Sequence, residues 1–308
     1  MKLLFFTGKG GVGKSTLAAA SAWQLSHEHR VLVASLDPAH NLGDLFGVEI
    51  KDEHSFSDTL RLKEVDLKKR SRDYLQKEVT TLKESYRHLQ VLNLDTCFSV
   101  LRYSPGIEEY ALLTAIEETI ADAAGFDYII FDTPPTGLTL RFLALPQVTG
   151  TWIERLAEIR RTILEKSHTI RNIRGKNYED PTILDYDEDH DDILQKLIGL
   201  KSRYQNLNRL LQGPDCSIAL VFNPDLLSLK ESLRLVAGLQ ELGLPLRLLL
   251  NNKVSEQNRT AAEQVEQKLG TVSTITPKRI HFLQEFQTGH SRPLYQIREN
   301  LVDDIHQV

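Results

Sequence analysis

An apolar run, Leu3-Leu4-Phe5-Phe6, empties into Gly8-Lys9-Gly10-Gly11-Val12-Gly13-Lys14-Ser15-Thr16, and a stretch of small residues with helical character follows. The spacing G-x-x-x-x-G-K-[ST] is mechanical. Glycines let backbone N–H groups curl round an anion, Lys14 reaches the β- and γ-phosphates, and the Ser15 hydroxyl can ligate Mg²⁺. The helix beginning there turns its positive end toward the same phosphates. Strand, loop and helix in that order commit the chain to an α/β architecture.

Lys9 is a second lysine inside the loop. Alone it is also an ordinary solvated loop residue, but in context K-G-G-V-G-K-S-T resembles a deviant phosphate loop. Its owners include the MinD and ParA partitioning proteins, the nitrogenase iron protein, and the ArsA-type (arsenite-pump and tail-anchored-protein-targeting) ATPases. The resemblance implies that Gly8 to Thr16 cradle ATP, that Thr16 contacts its α-phosphate, and that Lys9 crosses a homodimer interface to the partner's nucleotide.

Apolar, β-branched runs alternate with helical patterns, giving expected strands near 2–6, 31–36, 89–94, 127–131, 217–222, 246–250 and 272–275. That alternation predicts a doubly wound, mostly parallel sheet with ligands at the carboxyl ends of its strands. The second strand ends in Asp37-Pro38-Ala39-His40-Asn41-Leu42-Gly43-Asp44. Asp-Pro is a turn former by itself. Beside the loop, it resembles the D-P-A-H-N-L-x-D switch I of the ArsA-type ATPases, which implies that Asp37 orients the attacking water near the metal and that Asn41 lies by the nucleotide. Phosphoryl transfer needs such positioning and charge compensation more than covalent chemistry.

Asp132-Thr133-Pro134-Pro135-Thr136-Gly137-Leu138-Thr139-Leu140-Arg141 closes the fourth expected run from the left of the sequence that lies near 127–131. A carboxylate there can hold Mg²⁺ directly or through its waters. The run resembles the family's D-T-A-P-T-G-H-T-L-R switch II, with Asp132 and Gly137 kept and with Pro134 and Leu138 replacing alanine and histidine. Pro105-Gly106-Ile107-Glu108-Glu109 matches a family P-G-x-x-E pattern, although alone it marks only a helix start. By the same resemblance Asn251, first of Asn251-Asn252-Lys253, reads adenine, and Thr276-Pro277 forms a second adenine-contacting turn.

Alternation stops between 147 and 214. Trp152, Leu156, Ile159 and Ile163 form one helical stripe, and Ile193, Leu197, Leu200, Tyr204, Leu207 and Leu211 another. The two stripes either pair with each other or line a groove for a partner's helix, since the targeting ATPases carry their client site in an insertion here. The eight acidic residues between 179 and 192 suggest a solvated connection. Asp185, Asp187 and Asp189 open like a calcium loop, but His190 and Lys196 stand where glycine and glutamate are required. Met1 is the only methionine, so a Met-lined groove for varied membrane helices is missing.

Composition narrows the partners. A formal charge of −5 over 308 residues argues against a nucleic-acid binder, and no run nears the roughly 18 apolar residues of a membrane span. The segment before the loop is too short for a secretory leader. Cys97 and Cys216 lack C-x-x-C spacing, which fits a cytoplasmic setting and offers no metal framework. The resulting expectation is a cytoplasmic, homodimeric Mg-ATP hydrolase of the ArsA type. Residues 1–146 and 215–308 would form the ATPase domain and 147–214 a helical insertion, with nucleotide state coupled to an unidentified protein client, such as a membrane-protein segment. The alternatives are a MinD/ParA-like positioning ATPase acting on membrane or DNA, against which the acidic tail and net charge weigh, and an iron-protein-like redox carrier, which needs bridging cysteines.

Overall fold

A computed structural model describes residues 1–39, 41–85, 106–174, 187–281 and 293–307. The strand expected at 89–94, Cys97, His40, Pro105 and Asp185 lie outside the described residues. Residues Met1–Leu143 and Gln212–Val308 form one compact unit, and Ala144–Leu211 a second.

Among the described residues, the first unit is built on an eight-stranded sheet. Its strands are β1 (Lys2–Gly8), β2 (Val31–Ser35), β3 (Glu53–Ser55), β4 (Leu60–Glu64), β5 (Tyr128–Asp132), β6 (Cys216–Phe222), β7 (Leu246–Val254) and β8 (Lys278–His281), in the order β3-β4-β2-β5-β1-β6-β7-β8. All pairings are parallel except β3 with β4. β1 is central and apolar on both faces, as a strand covered by helices on both sides must be. Leu4 and Phe6 join one core cluster with Leu17, Val33, Ile130, Val221 and Leu250, while Phe5 stacks on Phe131 across the strand pair at 4.7 Å. Helix α1 (Lys14–Leu25) buries Ala18, Ala19 and Ala22 in the same cluster. Such small side chains allow a helix to approach a sheet closely.

β1 ends at a forced glycine. Gly8 pairs with Val221 and has φ +149°, and a Cβ built on it would stand 2.1 Å from the Val221 carbonyl oxygen. Only a residue without a side chain lets the chain leave the sheet edge there and turn into the loop.

The sheet differs from the sequence expectation at both of its margins. β3 and β4 were not anticipated, because Glu53-His54-Ser55 and Leu60-Arg61-Leu62-Lys63-Glu64 are short and heavily charged, the character of a sheet margin. No strand forms at 272–275. The N–H groups of Val272 and Ser273 both bond to the Leu269 carbonyl at the end of a helix (Arg259–Leu269), which takes them out of any ladder. The last strand among the described residues is β8, which follows Thr276-Pro277 rather than preceding it.

Among the described residues, the remaining α-helices in order are α2 (Leu42–Phe46), α3 (Leu67–Ser85), α4 (Ile107–Asp122), α5 (Thr136–Arg174), α6 (Asp192–Gln212), α7 (Leu226–Glu241), α8 (Arg259–Leu269) and α9 (Val302–His306). In the second unit, Ala157 and Leu164 of α5 are buried with Leu194 of α6, and Leu197 and Ile198 pack beside them. Arg160 donates to both oxygens of Asp191, at 3.0 and 2.6 Å, and Lys201 pairs with Glu154 at 2.6 Å. The acidic segment is therefore not simply solvated: its described end, from Asp187 onward, is held to α5 by Asp191 and by Glu188, which Arg161 reaches. The apolar stripes also divide. Trp152, Leu156, Ile159 and Ile163 are 67%, 47%, 49% and 45% exposed, and Leu200 is 40% exposed, whereas Tyr204 and Leu207 are buried. The face of α5 that meets α6 carries Ala157 and Leu164 instead.

Two stability measurements follow from these contacts. Gly8→Ala is expected to cost about 3 kcal/mol or more in urea unfolding, because a backbone carbonyl blocks the new methyl. Leu207→Asp, which buries an unpaired charge, is expected to cost about 3–5 kcal/mol, while Leu200→Asp on the exposed side changes stability by under about 1 kcal/mol.

Candidate functional site

The carboxyl ends of the central strands frame a cavity of about 390 Å³, lined by Gly10, Gly11, Gly13, Lys14, Ser15 and Thr16 of the loop together with residues of five other segments. Asp37 and Asn41 come from the turn after β2, Leu45 from α2, Asn252 and Lys253 from β7, and Ile280 and His281 from β8. Ile297 closes the list from the C-terminal segment. It lies at the point where the chain crosses from one side of β1 to the other, where open α/β sheets bind ligands.

Gly13 has φ +97° and stands directly before α1, so the free N–H groups of the first turn adjoin the cavity. Lys14 is 5% exposed, and burial lowers its pKa while Asp132 and Asp37 pull it back up. Asp132, the last residue of β5, is 1% exposed. Burial raises its pKa from 3.8 to about 6 despite the Ser15 hydroxyl and the Lys14 charge beside it, and its Oδ1 has no hydrogen-bond partner among the described residues. Asp37 lines the cavity with Oδ1 accepting from the Ala39 N–H at 3.0 Å, a turn that fixes its carboxylate.

The switch-like turn after β5 is held by hydroxyls. Thr133 donates to the Phe6 carbonyl at 2.8 Å, and Thr139 to the Pro134 carbonyl at 2.7 Å. Arg141 pairs at 3.2 Å with Glu109, a buried carboxylate of α4, which links two stretches that the sequence marked separately. Gly137 sits in the first turn of α5 and is not part of the cavity lining.

The structure brings Lys14, Ser15, Thr16, Asp37, Asn41, Gly10, Gly11 and Gly13 to one cavity, with Asp132 beside Lys14 and Ser15. Gly8 and Val12 shape the loop from beneath, Val12 being buried in the core. Lys9 is half-buried and has no hydrogen-bond or ion-pair partner among the described residues. Asn251 does not reach the cavity: it is fully buried, and its amide donates to Glu266 at 2.7 Å, which in turn holds Arg279 in a bidentate pair. Thr276 and Pro277 lie before β8, while the lining residues Ile280 and His281 lie at its far end.

Several lining residues escaped the sequence reading. Asn252 donates to the Val12 carbonyl and Lys253 to the Gly11 carbonyl, each at 2.8 Å. Strand parity could have found the first: Leu248 and Leu250 share the core cluster of Val12, and Leu249 belongs to the cluster on the other side, so Asn252 follows Leu250 toward the loop. His281 bonds Glu299 at 2.7 Å, and Tyr295, two residues from Ile297, stacks on Phe46 of α2. No local signal in the sequence joins the C-terminal segment to this site.

A family model described as anion-transporting ATPase matches residues 1–281. The chain is 31% identical over 275 residues to the Aquifex aeolicus (strain VF5) protein named arsenical pump-driving ATPase 2, an alignment covering 87% of each. It is 29% identical over 268 residues to arsenical pump-driving ATPase 1 of the same organism, covering 82% of this chain and 63% of the relative. It is also 27% identical over 281 residues to ATPase GET3C of Arabidopsis thaliana, covering 84% and 68%. With a glycine-rich loop, a buried lysine and two carboxylates at one sheet edge, and a family match over most of its length, the chain belongs to the ArsA-type ATPases.

Proposed function

We propose that this ATPase hydrolyses Mg-ATP in the cavity over β1 and that nucleotide state sets the geometry of a homodimer whose helical unit engages a protein client. The observation that carries the reading is the convergence of Lys14, Ser15, Asp37 and Asp132 beneath one loop. Lys14 neutralises phosphate charge, and Thr16 and the loop N–H groups fix the phosphate chain. Asp37, at the cavity wall on its own turn, orients the attacking water.

The donor set suits Mg²⁺. This hard cation takes oxygen ligands and keeps several waters, and Ser15 with the orphaned Asp132 Oδ1 supplies oxygens where negative charge is otherwise poorly tolerated. When bound it would neutralise charge on the phosphates. Ser15 would hold it directly, with Asp132, and Asp37 through water, as outer supports.

Lys9 stands at the loop with no partner of its own among the described residues, which supports a role across a dimer interface. The exposed Trp152, Leu156, Ile159 and Ile163 support a client-facing helix, since a contiguous apolar stripe on a soluble surface marks an interaction site. Among the described residues no helix is long and apolar enough to cross a membrane. Cys216 is buried with its thiol pushed up to about 12, which suits core packing and not the bridging of a redox cluster.

Asp37→Asn is expected to bind ATP normally and to lose about 100-fold in turnover, equivalent to about 2.7 kcal/mol of barrier. Steady-state hydrolysis beside equilibrium ATP binding checks it, and near-normal turnover at saturating Mg-ATP removes Asp37 from that role.

Asp132 gives a pH test in the absence of nucleotide and metal. A raised folded-state pKa favours the neutral acid, so the native state binds the proton more tightly than the unfolded chain and stability falls as pH rises from 3.8 through about 6. The rise corresponds to about 3 kcal/mol. Asp132→Asn is therefore expected to be more stable than the parent at pH 8, with the advantage vanishing toward pH 4, and to be inactive. Denaturant unfolding at a series of pH values measures this.

A further inference from the structure

We propose that Asn252 and Lys253 form a clamp that shapes the phosphate loop before nucleotide arrives, with Lys253 as a positioning residue for phosphate binding. The inference rests on the nucleotide-site reading above and goes beyond it, to residues at the end of β7 rather than in the loop.

Three independent observations meet there. The pairing of β7 with β8 shifts register between Asn251 and Val254: these residues pair with Arg279 and His281, so two residues of β7 face one of β8, a β-bulge. Lys253, in that bulge, has φ +59° and is the one non-glycine residue with positive φ among the described residues. Side chains other than glycine occupy that region at a cost, and such strain persists where the surroundings enforce it. The enforcing contacts are present. Asn258 donates to the Lys253 carbonyl at 2.9 Å and accepts from the Ser255 N–H at 2.8 Å.

The third observation is what the distortion achieves. Successive residues of a regular strand point to opposite faces, yet Asn252 and Lys253 both reach the same loop and bond to consecutive carbonyls, those of Val12 and Gly11. Bulges re-aim side chains in this way. In a trans peptide the C=O and the following N–H point in opposite directions. Holding the carbonyls of Gly11 and Val12 toward β7 therefore aims the N–H groups of Val12 and Gly13 the other way, into the concavity of the loop. The fit is close: a Cβ on Gly13 would meet the Asn252 amide nitrogen at 2.4 Å, so the glycine leaves room for the clamp as well as supplying its own positive φ. Both clamp residues line the cavity.

The test separates positioning from bracing. Lys253→Gly removes the ammonium and accepts φ +59° without strain, so the protein without nucleotide is expected to melt within about 2 °C of the parent. Its Kd for ADP is expected to rise by about 10-fold or more, as for loss of a charge-assisted hydrogen bond. ATP turnover should show the rise in KM, with kcat within about 3-fold, because the loop holds ground and transition states alike. Lys253→Arg, which keeps a donor at that point, should recover most of the ADP affinity. An unchanged ADP affinity in Lys253→Gly overturns the proposal, and so does an affinity loss that comes with a matching fall in melting temperature. Lys14→Ala serves as the reference: loss of ADP binding there with parental binding in Lys253→Gly refutes the clamp alone, whereas parental binding in both refutes the nucleotide site itself.

Discussion

Lys14 and Asp132 are buried side by side beneath one loop, and much of the molecule is arranged to make that tolerable. Moving either charge out of water is unfavourable, and the opposite shifts they suffer, the lysine down and the carboxylate up, record it. Each partly offsets the other, but Asp132 retains an unsatisfied oxygen, and Lys14 opens α1, whose first-turn N–H groups have no partner within the helix. A polyanion with a divalent cation would complete both sets at once. On the proposed reading, a ligand that supplies both would stabilise the folded state by binding to it.

Direct contacts link the cavity to the rest of the first unit. Asp37 and Asn41 border the cavity just before α2, whose Phe46 stacks on Tyr295 at 4.6 Å, and Gln24 of α1 holds the C-terminal segment through the Glu299 carbonyl and the Leu301 N–H. On the other side of the sheet edge, Asp132 leads into the turn fastened by Thr133 and Thr139, and Arg141 carries it to Glu109 on α4. Both turns are short and polar, and on the proposed reading they would be the segments that respond to the loss of a γ-phosphate. The beginning of α5 belongs to the second of them.

The α/β class was legible because β1, β2, β5, β6 and β7 are continuous apolar runs, the signature of strands covered on both faces. Charged marginal strands such as Glu53–Ser55 carry no such signature, and Val272-Ser273-Thr274-Ile275 looked like a strand because its backbone commitment to the end of α8 is invisible in composition. In the site, residues fixed by local spacing came together at one cavity. Residues that depend on tertiary parity were harder: Asn251 and Asn252 are identical in type, and only their alternation with Leu249 and Leu250 distinguishes the face toward Glu266 from the face toward Val12. The same holds for α5, where the stripe at Trp152 and Leu156 is as regular as the one carrying Ala157 and Leu164, but the latter meets α6. Ile297 and His281 depend on chain folding over more than two hundred residues, which no local pattern encodes.

Amide hydrogen exchange with and without Mg-ATP measures most directly where the nucleotide binds. The account predicts that saturating Mg-ATP slows exchange at the backbone of residues 10–17 above all, with smaller protection at 37–45 and 252–254, because the loop N–H groups become hydrogen-bond donors to phosphate oxygens. ATP binding that leaves exchange in residues 10–17 unchanged would contradict it.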